Sequence, residues 1–491
     1  MSNDITKTKV LSSLIWKLME RGGTQGIQFI VTVVLARLLA PEEFGLIVLA
    51  TIFIAIAKIF VETGFNTALI QKKEADEIDF SSVFYLSLIV AGLLYVCLFL
   101  SAPYIAIFLG QPEIVSVLRT LSLTLFFGAI NSIQIAMISR NLQFKKLFVS
   151  SLGAVVLSGI VGIVMAYASL GIWALVGQQL TNQIVITIIL WFTVKWRPLF
   201  VFSITRLKSL FSFGWKLLVS GILDTLTSNL TNLLVGKVYS PTALGFYNRG
   251  EQLPSFIVNN IDGSIQSVML PTLSNYQEDS QRVKEIARRS IVTSSFIIFP
   301  MMVGLAAVAE PLIELLLTEK WLPAVSFLQI SCAVYALWPI HTMNLQVMNA
   351  LGRSDLFLKL EIVKKMLSIV ILIISLQFGI YALVWGGFIS SILSTFINAY
   401  PNRKLIQYSF EEQWRDILPS LLLSLVMGFT VYPIILCKMP VFLTLITQVI
   451  VGIIIYVALA KTFKLECYSY LILTLKELIG NKKYRNMKSE V

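Results

Sequence analysis

Apolar runs long enough to cross a bilayer follow one another along nearly the whole chain, separated by short polar segments. A crossing helix needs roughly 20 mostly apolar residues. The pattern predicts fourteen spans, at about 14–38, 46–70, 81–109, 115–139, 148–168, 171–194, 211–237, 244–272, 291–317, 324–350, 358–376, 380–400, 417–436 and 441–460. Each is expected to be a helix, because backbone groups in hydrocarbon must bond within their own segment. The alternation of barrel strands is absent. The expected fold class is all-α, a polytopic membrane protein of about 14 transmembrane helices.

The apolar pattern is broken most strongly at 234–274, where Lys237, Tyr247, Arg249, Glu251, Asn259, Asn260 and Asp262 fall within or beside the eighth span. The first span carries Lys17, Glu20, Arg21, Gln25, Gln28 and Arg37, the second Lys58 and Glu62, and the seventh Lys216, Asp224, Asn229 and Asn232. Polar groups at membrane depth are costly and face a bundle interior or water. Spans one, two, seven and eight are therefore expected to line a hydrophilic cavity. A plainer reading stands beside this for some of them. Lys17, Arg21 and Lys216 sit near span ends, from which long side chains reach the interface. Lys58 and Glu62, one helical turn apart, are also what a structural ion pair looks like. Glu310 and Glu314 fall near the end of span nine, at cavity or interface. Pro254, inside span eight, is expected to kink it.

The first half of that polar stretch has an echo. Ala36-Arg37-Leu38-Leu39-Ala40-Pro41-Glu42-Glu43-Phe44-Gly45 aligns with Gly236-Lys237-Val238-Tyr239-Ser240-Pro241-Thr242-Ala243-Leu244-Gly245 at an offset of 200, and Glu62 falls on Asp262. Trp16-Lys17 recurs as Trp215-Lys216, and Gly171-Ile172-Trp173-Ala174-Leu175-Val176 as Gly379-Ile380-Tyr381-Ala382-Leu383-Val384. Matches in one order with slowly growing offset indicate duplication. Each repeat holds six spans, an even number, so both start on the same side and are parallel repeats. The expected organisation is an N-terminal six-helix lobe at 1–194 and an amphipathic linker at 195–210. A second six-helix lobe at 211–400, helices 13 and 14 within 401–462 and a basic tail at 463–491 follow.

Charge fixes the orientation. The segments on the side of the N-terminus hold 27 Lys and Arg, and the opposite segments hold two, Lys320 and Lys438. Lys and Arg concentrate on the cytoplasmic side, so both termini are expected inside. The same rule absorbs the net charge of +12, which in a soluble protein would raise nucleic acid as a partner. No nucleic-acid partner is expected. The N-terminus lacks the compact apolar core and cleavage site of a signal peptide, so the first span is expected to be retained. The outer loops are too short to form a catalytic domain. Cys97, Cys332, Cys437 and Cys467 have no metal-ligand spacing and read as core or lipid-facing thiols. His341 reads as a satisfied interior histidine, with a proton relay as the alternative. There is no phosphate-cradling glycine loop and no cofactor motif. No cofactor, metal or enzymatic activity is expected.

The run Gly245-Phe246-Tyr247-Asn248-Arg249-Gly250-Glu251-Gln252-Leu253-Pro254, continued by Val268-Met269-Leu270-Pro271-Thr272-Leu273-Ser274, resembles the Wzx-type lipid-linked oligosaccharide flippases. Glu319-Lys320-Trp321-Leu322-Pro323-Ala324 and Asn349-Ala350-Leu351-Gly352-Arg353-Ser354-Asp355 are similar too. The likeness is strongest to the colanic-acid and teichuronic-acid exporter subgroup of the polysaccharide synthase transporters. It implies the two-lobed fold of the multidrug/oligosaccharidyl-lipid/polysaccharide superfamily. It also implies passage of undecaprenyl-pyrophosphate-linked repeat units across the bacterial inner membrane. Membrane lipids and the polysaccharide polymerase machinery are the partners that follow.

On that reading Arg37, Lys58, Lys237 and Arg249 neutralise pyrophosphate. Tyr247, Asn259 and Asn260 contact sugar, and Glu62, Asp224, Glu251 and Asp262 complete the set. A multidrug exporter of the same superfamily is the alternative function. A cation site should be net acidic, whereas these four basic and four acidic residues balance. An integral-membrane polymerase or ligase is opposed by the short outer loops.

Cysteines introduced at Glu43, Gln111 and Thr318 in a cysteine-free background should label from outside intact cells. Those at Lys73, Lys145 and Arg282 should label only after permeabilisation. Reversed labelling would overturn the orientation.

Overall fold

The structure is a computed structural model describing residues 7–62, 68–70, 72 and 75–469. Lys73, the extreme N-terminus, the middle of the 63–74 segment and most of the basic tail lie outside the described residues, as do the side chains of Arg21 and Lys216. Among the described residues the regular structure is helical throughout. In chain order the elements are α1 (Lys7–Leu38), α2 (Pro41–Glu62), α3 (Glu77–Leu109), α4 (Ile114–Leu121), α5 (Thr124–Arg140), α6 (Phe144–Tyr167), α7 (Ile172–Thr193), α8 (Ile204–Val238) and α9 (Pro241–Ser274). They continue as α10 (Ser280–Ala307), α11 (Ala309–Leu317), α12 (Ala324–Ala336), α13 (Trp338–Ala350), α14 (Ser354–Ser375), α15 (Ile380–Ala399), α16 (Asn402–Leu405), α17 (Phe410–Val431) and α18 (Val441–Thr462).

Each predicted span maps onto this series. Three are broken within their length: span four into α4 and α5, span nine into α10 and α11 at Val308, and span ten into α12 and α13 at Leu337. Ten of the described helical segments are long and apolar enough to cross a membrane by length and composition. Helices α1, α8 and α9 are outside that set, and they carry most of the charged residues that interrupt the apolar pattern. The chain is a multi-pass membrane protein.

It divides into two compact units, Met1–Gly245 and Phe246–Val491. In the first, α6 packs along α1 and α7, and α2 lies against α8. In the second, α10 packs along α17 and α12, α14 pairs with α15, and α17 with α18. The helix starts follow from local chemistry. Pro41 and Pro241 open α2 and α9 at the position where the missing N–H costs nothing. Reciprocal side-chain caps close the first turns of α3, by Asp76 and Asp79, and α17, by Ser409 and Glu412.

The amphipathic segment after α7 docks on the start of α3 and leaves Phe200 almost fully exposed. Trp196 is buried edge-on to Phe80 and Phe84, at 6.3 and 5.9 Å. The backbone amides of Leu199 and Ser203 donate to the Ser81 and Ser82 hydroxyls, at 2.9 and 3.0 Å. Arg206 reaches Asp76 at 3.1 Å, and Lys72 reaches the buried carboxylate of Asp79 at 2.6 Å. A buried charge stripped of its partners is strongly destabilising, so these cations hold the segment in place. From Ile204 onward the same stretch is already α8.

The repeat is also written in the backbone. Positive-φ residues recur at matching places: Gly110 (φ 69°) and Thr318 (φ 82°) close α3 and α11, Leu142 (φ 55°) and Gly352 (φ 71°) follow α5 and α13, and Gly171 (φ 56°) and Gly379 (φ 99°) precede α7 and α15. The two middle turns share their hydrogen bonds. Gln143 N donates to Ile138 O at 2.9 Å, and Arg353 N to Met348 O at 2.9 Å. Within the first unit, the glycines matched at offset 200 make reciprocal contacts. A Cβ on Gly45 would lie 1.7 Å from the Pro241 carbonyl oxygen, and one on Gly245 would lie 2.1 Å from that of Pro41. Equivalent residues exchanging equivalent contacts is the signature of a local two-fold.

Gly45→Ala is therefore expected to lower the melting temperature of the solubilised protein by several degrees, since overpacking costs about 1–3 kcal/mol even where neighbours yield. Gly22→Ala, with nothing within 4 Å of the added carbon, should leave it unchanged or slightly higher. Equal melting temperatures for Gly45→Ala and the parent would refute the close approach.

Candidate functional site

Six of the candidate residues project from α9 in the second unit. Gly250 sets their position. A Cβ there would stand 2.7 Å from Leu328 N and 2.9 Å from Ala324 O, so the helix lies directly on the backbone of α12. This brings the flanking Arg249 and Glu251 into half-buried surroundings. Tyr335 of α12 donates its hydroxyl to Glu251 Oε1 at 2.9 Å. Arg249 Nη1 donates to Gln252 Oε1 one turn on. Tyr247 meets the Phe327 ring edge-on at 6.1 Å, and Phe327 stacks on Tyr381 at 5.2 Å. Tyr247 and Glu251, one turn apart, thus share one aromatic-walled polar cluster with Tyr335, while Arg249, two residues from each, points from a different face of α9 and is bound to Gln252.

Asp262 stands three turns further along, about 16 Å at 1.5 Å per residue and nearly on the face of Glu251. It is only 4% exposed. Its Oδ2 accepts from Thr342 Oγ1 at 3.0 Å and from Gln266 Nε2 at 2.7 Å, while Gln346 donates to Gln266 Oε1 at 3.4 Å. Asp262 Oδ1 is buried without a hydrogen-bond partner among the described residues. Asn260, half-buried, donates to the carbonyl of Phe256 at 2.8 Å, and exposed Asn259 donates to Ser255 Oγ at 2.9 Å.

The remaining candidates belong to the first unit. Lys58 Nζ and Glu62 Oε1 are 3.4 Å apart along α2, half-exposed, with space for the carboxylate provided by Gly128 of α5. Arg37 and Lys237 are exposed in the last turns of α1 and α8, where the helix dipole favours a cation. Lys237 Nζ lies 3.0 Å from the centroid of the Phe108 ring. Asp224 is exposed on α8.

Helix α13 is the element that the polar pattern of α9 did not reveal. Its Thr342 holds Asp262. Asn344 is bound by Gln413 and Asn402 at 2.8 and 2.6 Å. His341 has its Nε2 3.1 Å from Ser391 Oγ and 3.3 Å from Thr395 Oγ1, with Asn398 3.4 Å from Nδ1, as expected of a satisfied interior histidine. The signal was present in Ile340-His341-Thr342-Met343-Asn344-Leu345-Gln346, four polar residues within six positions of an apolar span. No group of three or more metal-ligating side chains occurs among the described residues. The arrangement suits recognition of polar and anionic groups by a guanidinium, carboxylates, amides and aromatic faces.

Asp262→Asn keeps the size and an acceptor for Thr342, and should accumulate in the membrane near the parent level. Asp262→Ala strands the Thr342 and Gln266 donors and should cost about 1–3 kcal/mol in thermal unfolding of the solubilised protein. An alanine variant as stable as the parent would show that this buried network does not hold α9 to α13.

Comparison with known proteins places the chain. The family model described as "Polysaccharide biosynthesis protein" matches residues 34–326, more than half of the sequence. The teichuronic acid biosynthesis protein TuaB of Bacillus subtilis is 27% identical over 431 residues, covering 87% of this chain and 89% of that one. The lipopolysaccharide biosynthesis protein WzxC of Escherichia coli is 23% identical over 433 residues, covering 86% and 88%. Among solved structures, the lipid II flippase MurJ in an inward closed conformation superposes with a TM-score of 0.73 at 17% identity, over 94% of this chain and 100% of that one. That likeness shows a shared fold of helices. With its family model spanning the end of α1 through the start of α12, this chain belongs to the polysaccharide biosynthesis protein family.

Proposed function

We propose that the protein is a flippase carrying undecaprenyl-pyrophosphate-linked oligosaccharide repeat units across the bacterial inner membrane for capsule, exopolysaccharide or O-antigen synthesis. Both termini are cytoplasmic in this reading, and the delivered units pass to polysaccharide polymerase machinery. A lipid-linked glycan has a tail that stays in hydrocarbon and a headgroup that cannot enter it. Its carrier needs polar side chains at membrane depth, accessible from one side of the membrane and then the other.

The observation that carries the proposal is the cluster on α9. Glu251 is half-buried against the Tyr335 hydroxyl beside the aromatic pair of Tyr247 and Phe327, and Arg249 is half-buried on another face of the same helix turn, bound to Gln252. The guanidinium fork matches pyrophosphate oxygens, and aromatic faces with amides suit sugar. The family membership and the flippase fold support the same reading.

A deletion strain should accumulate lipid-linked repeat units with the headgroup in the inner leaflet. Outer-leaflet unpolymerised units would indicate a polymerase, and drug sensitivity alone an exporter. In the complemented strain, Arg249→Lys should restore part of the surface polysaccharide and Arg249→Ala almost none, compared at matched membrane abundance. Normal export by a fully abundant Arg249→Ala protein would remove this residue from the mechanism.

A further inference from the structure

The segment between α7 and α8 has two sides, and only one of them is occupied. Inward, Trp196 is buried against Phe80 and Phe84, and the amides of Leu199 and Ser203 donate to Ser81 and Ser82. Arg206, in the first turn of α8, holds Asp76. Outward, Leu199, Phe200, Val201, Phe202 and Ile204 are all exposed, and Phe200 is 99% so. These are five of the six residues from 199 to 204. A contiguous exposed apolar patch marks a contact with protein or with membrane.

The backbone bonds decide where that patch lies. They tie it to Ser81 and Ser82, where the apolar span of α3 begins, and the Phe200 ring stacks on Tyr85 with centroids 6.4 Å apart. Tyr85 stands about 6 Å along α3 from Ser81, at 1.5 Å per residue. Beyond Tyr85, exposed Ile89, Leu93, Val96 and Leu100 follow at helical spacing and form one apolar stripe. On a helix long and apolar enough to cross a membrane, such a stripe faces hydrocarbon. Phe200 therefore sits at the foot of a lipid-facing surface. Lys195 and Lys208, both exposed, flank the apolar residues on either side in sequence. This is the end of the helices that the Lys and Arg distribution assigns to the cytoplasm.

We propose that this segment is an interfacial anchor whose partner is the lipid of the cytoplasmic leaflet. Phe200 and its apolar neighbours enter the boundary between headgroups and acyl chains, and Lys195 and Lys208 reach the headgroup phosphates. Three features select lipid over a protein partner. The patch is continuous with the lipid-facing stripe of α3 and lies at the start of its span. Its order, an apolar centre with a lysine to each side, matches the change from acyl chain to phosphate across an interface. Its backbone is already fastened to α3, so the side chains are presented to the bilayer without a partner to order them. The joint between the two repeats is thereby held on both sides, by α3 and by the leaflet, and α8 leaves it at a fixed depth. The anchor is separate from the cluster on α9 and does not depend on what the protein carries.

The test uses the full-length protein in a cysteine-free background. Phe200→Cys and Lys195→Cys are each given a nitroxide label and reconstituted in vesicles of phosphatidylcholine and phosphatidylglycerol. Power saturation of the spin signal then compares collisions with oxygen, which concentrates in hydrocarbon, and with a water-soluble nickel chelate. At position 200 oxygen should exceed nickel several-fold, and at position 195 nickel should exceed oxygen. Nickel in excess at position 200 would make the segment a water-exposed loop and overturn the proposal. Weak collision with both reagents there would mean that protein covers the patch, and would overturn it equally. The side is read in intact cells, where Lys195→Cys should react with an impermeant thiol reagent only after permeabilisation; labelling from outside would contradict the cytoplasmic leaflet. None of these readouts requires transport, so a failed export assay leaves them intact. If Phe200→Cys fails to accumulate, Phe202→Cys takes its place and must show the same excess of oxygen for the proposal to stand.

Discussion

A helix in hydrocarbon has nowhere to put a polar side chain except against protein or water. Most of what distinguishes this chain follows from that constraint acting on α9. Its carboxylates require neighbours, and these are supplied by Tyr335 on α12 and Thr342 on α13, whereas its guanidinium and amides bond within α9. Those bonds form only because α9 approaches α12 closely enough for Gly250 to touch its backbone. One glycine thereby connects sequence to packing and packing to chemistry. It holds a half-buried arginine and glutamate in a surrounding where each interacts more strongly than it would in water.

The positions of the helices were legible because hydropathy is a property of long windows. All fourteen predicted spans correspond to helices, and those that fall short of a simple membrane criterion include the ones marked by their charges. The breaks at Val308 and Leu337 went unread, although Pro311 and Pro339 stand in the first turn of the helix that follows each. The duplication showed in Pro41/Pro241 and Gly45/Gly245, yet half of its backbone evidence was hidden. Leucine at 142 and threonine at 318 have a positive φ where glycine stands at the equivalent turns, and neither residue type announces it. The docking of the segment after α7 was not legible, because a mixed basic and apolar pattern does not reveal a buried tryptophan. That depends on the tertiary partners Ser81, Ser82 and Asp79.

The site was legible on one side. A guanidinium and carboxylates inside an apolar span draw attention in any sequence, so Arg249, Glu251 and Asp262 were found. Their partners are hydroxyls and amides, Tyr335, Thr342 and Gln346, which membrane helices carry for many reasons. Sequence gave no measure of depth either. Arg37 and Lys237 stand in terminal turns, whereas Asp262 is almost wholly enclosed, although all three are charged residues assigned to spans. Enclosure gives Asp262 a different part from its neighbours Asn259 and Asn260. In this conformation it serves the packing of α9 on α13, while Glu251 and Tyr247 belong to the half-buried cluster with Tyr335.

The central claim is that a charged, glycan-bearing headgroup crosses the membrane through this protein. It is tested most directly in proteoliposomes containing the purified protein and a fluorescent polyprenyl-pyrophosphate-linked sugar distributed over both leaflets, with a membrane-impermeant quencher added outside. The account predicts that the protected inner-leaflet fraction, about half in protein-free vesicles, becomes quenchable in vesicles with the parent protein and stays protected with Arg249→Ala. Protection unchanged by correctly reconstituted parent protein would contradict it.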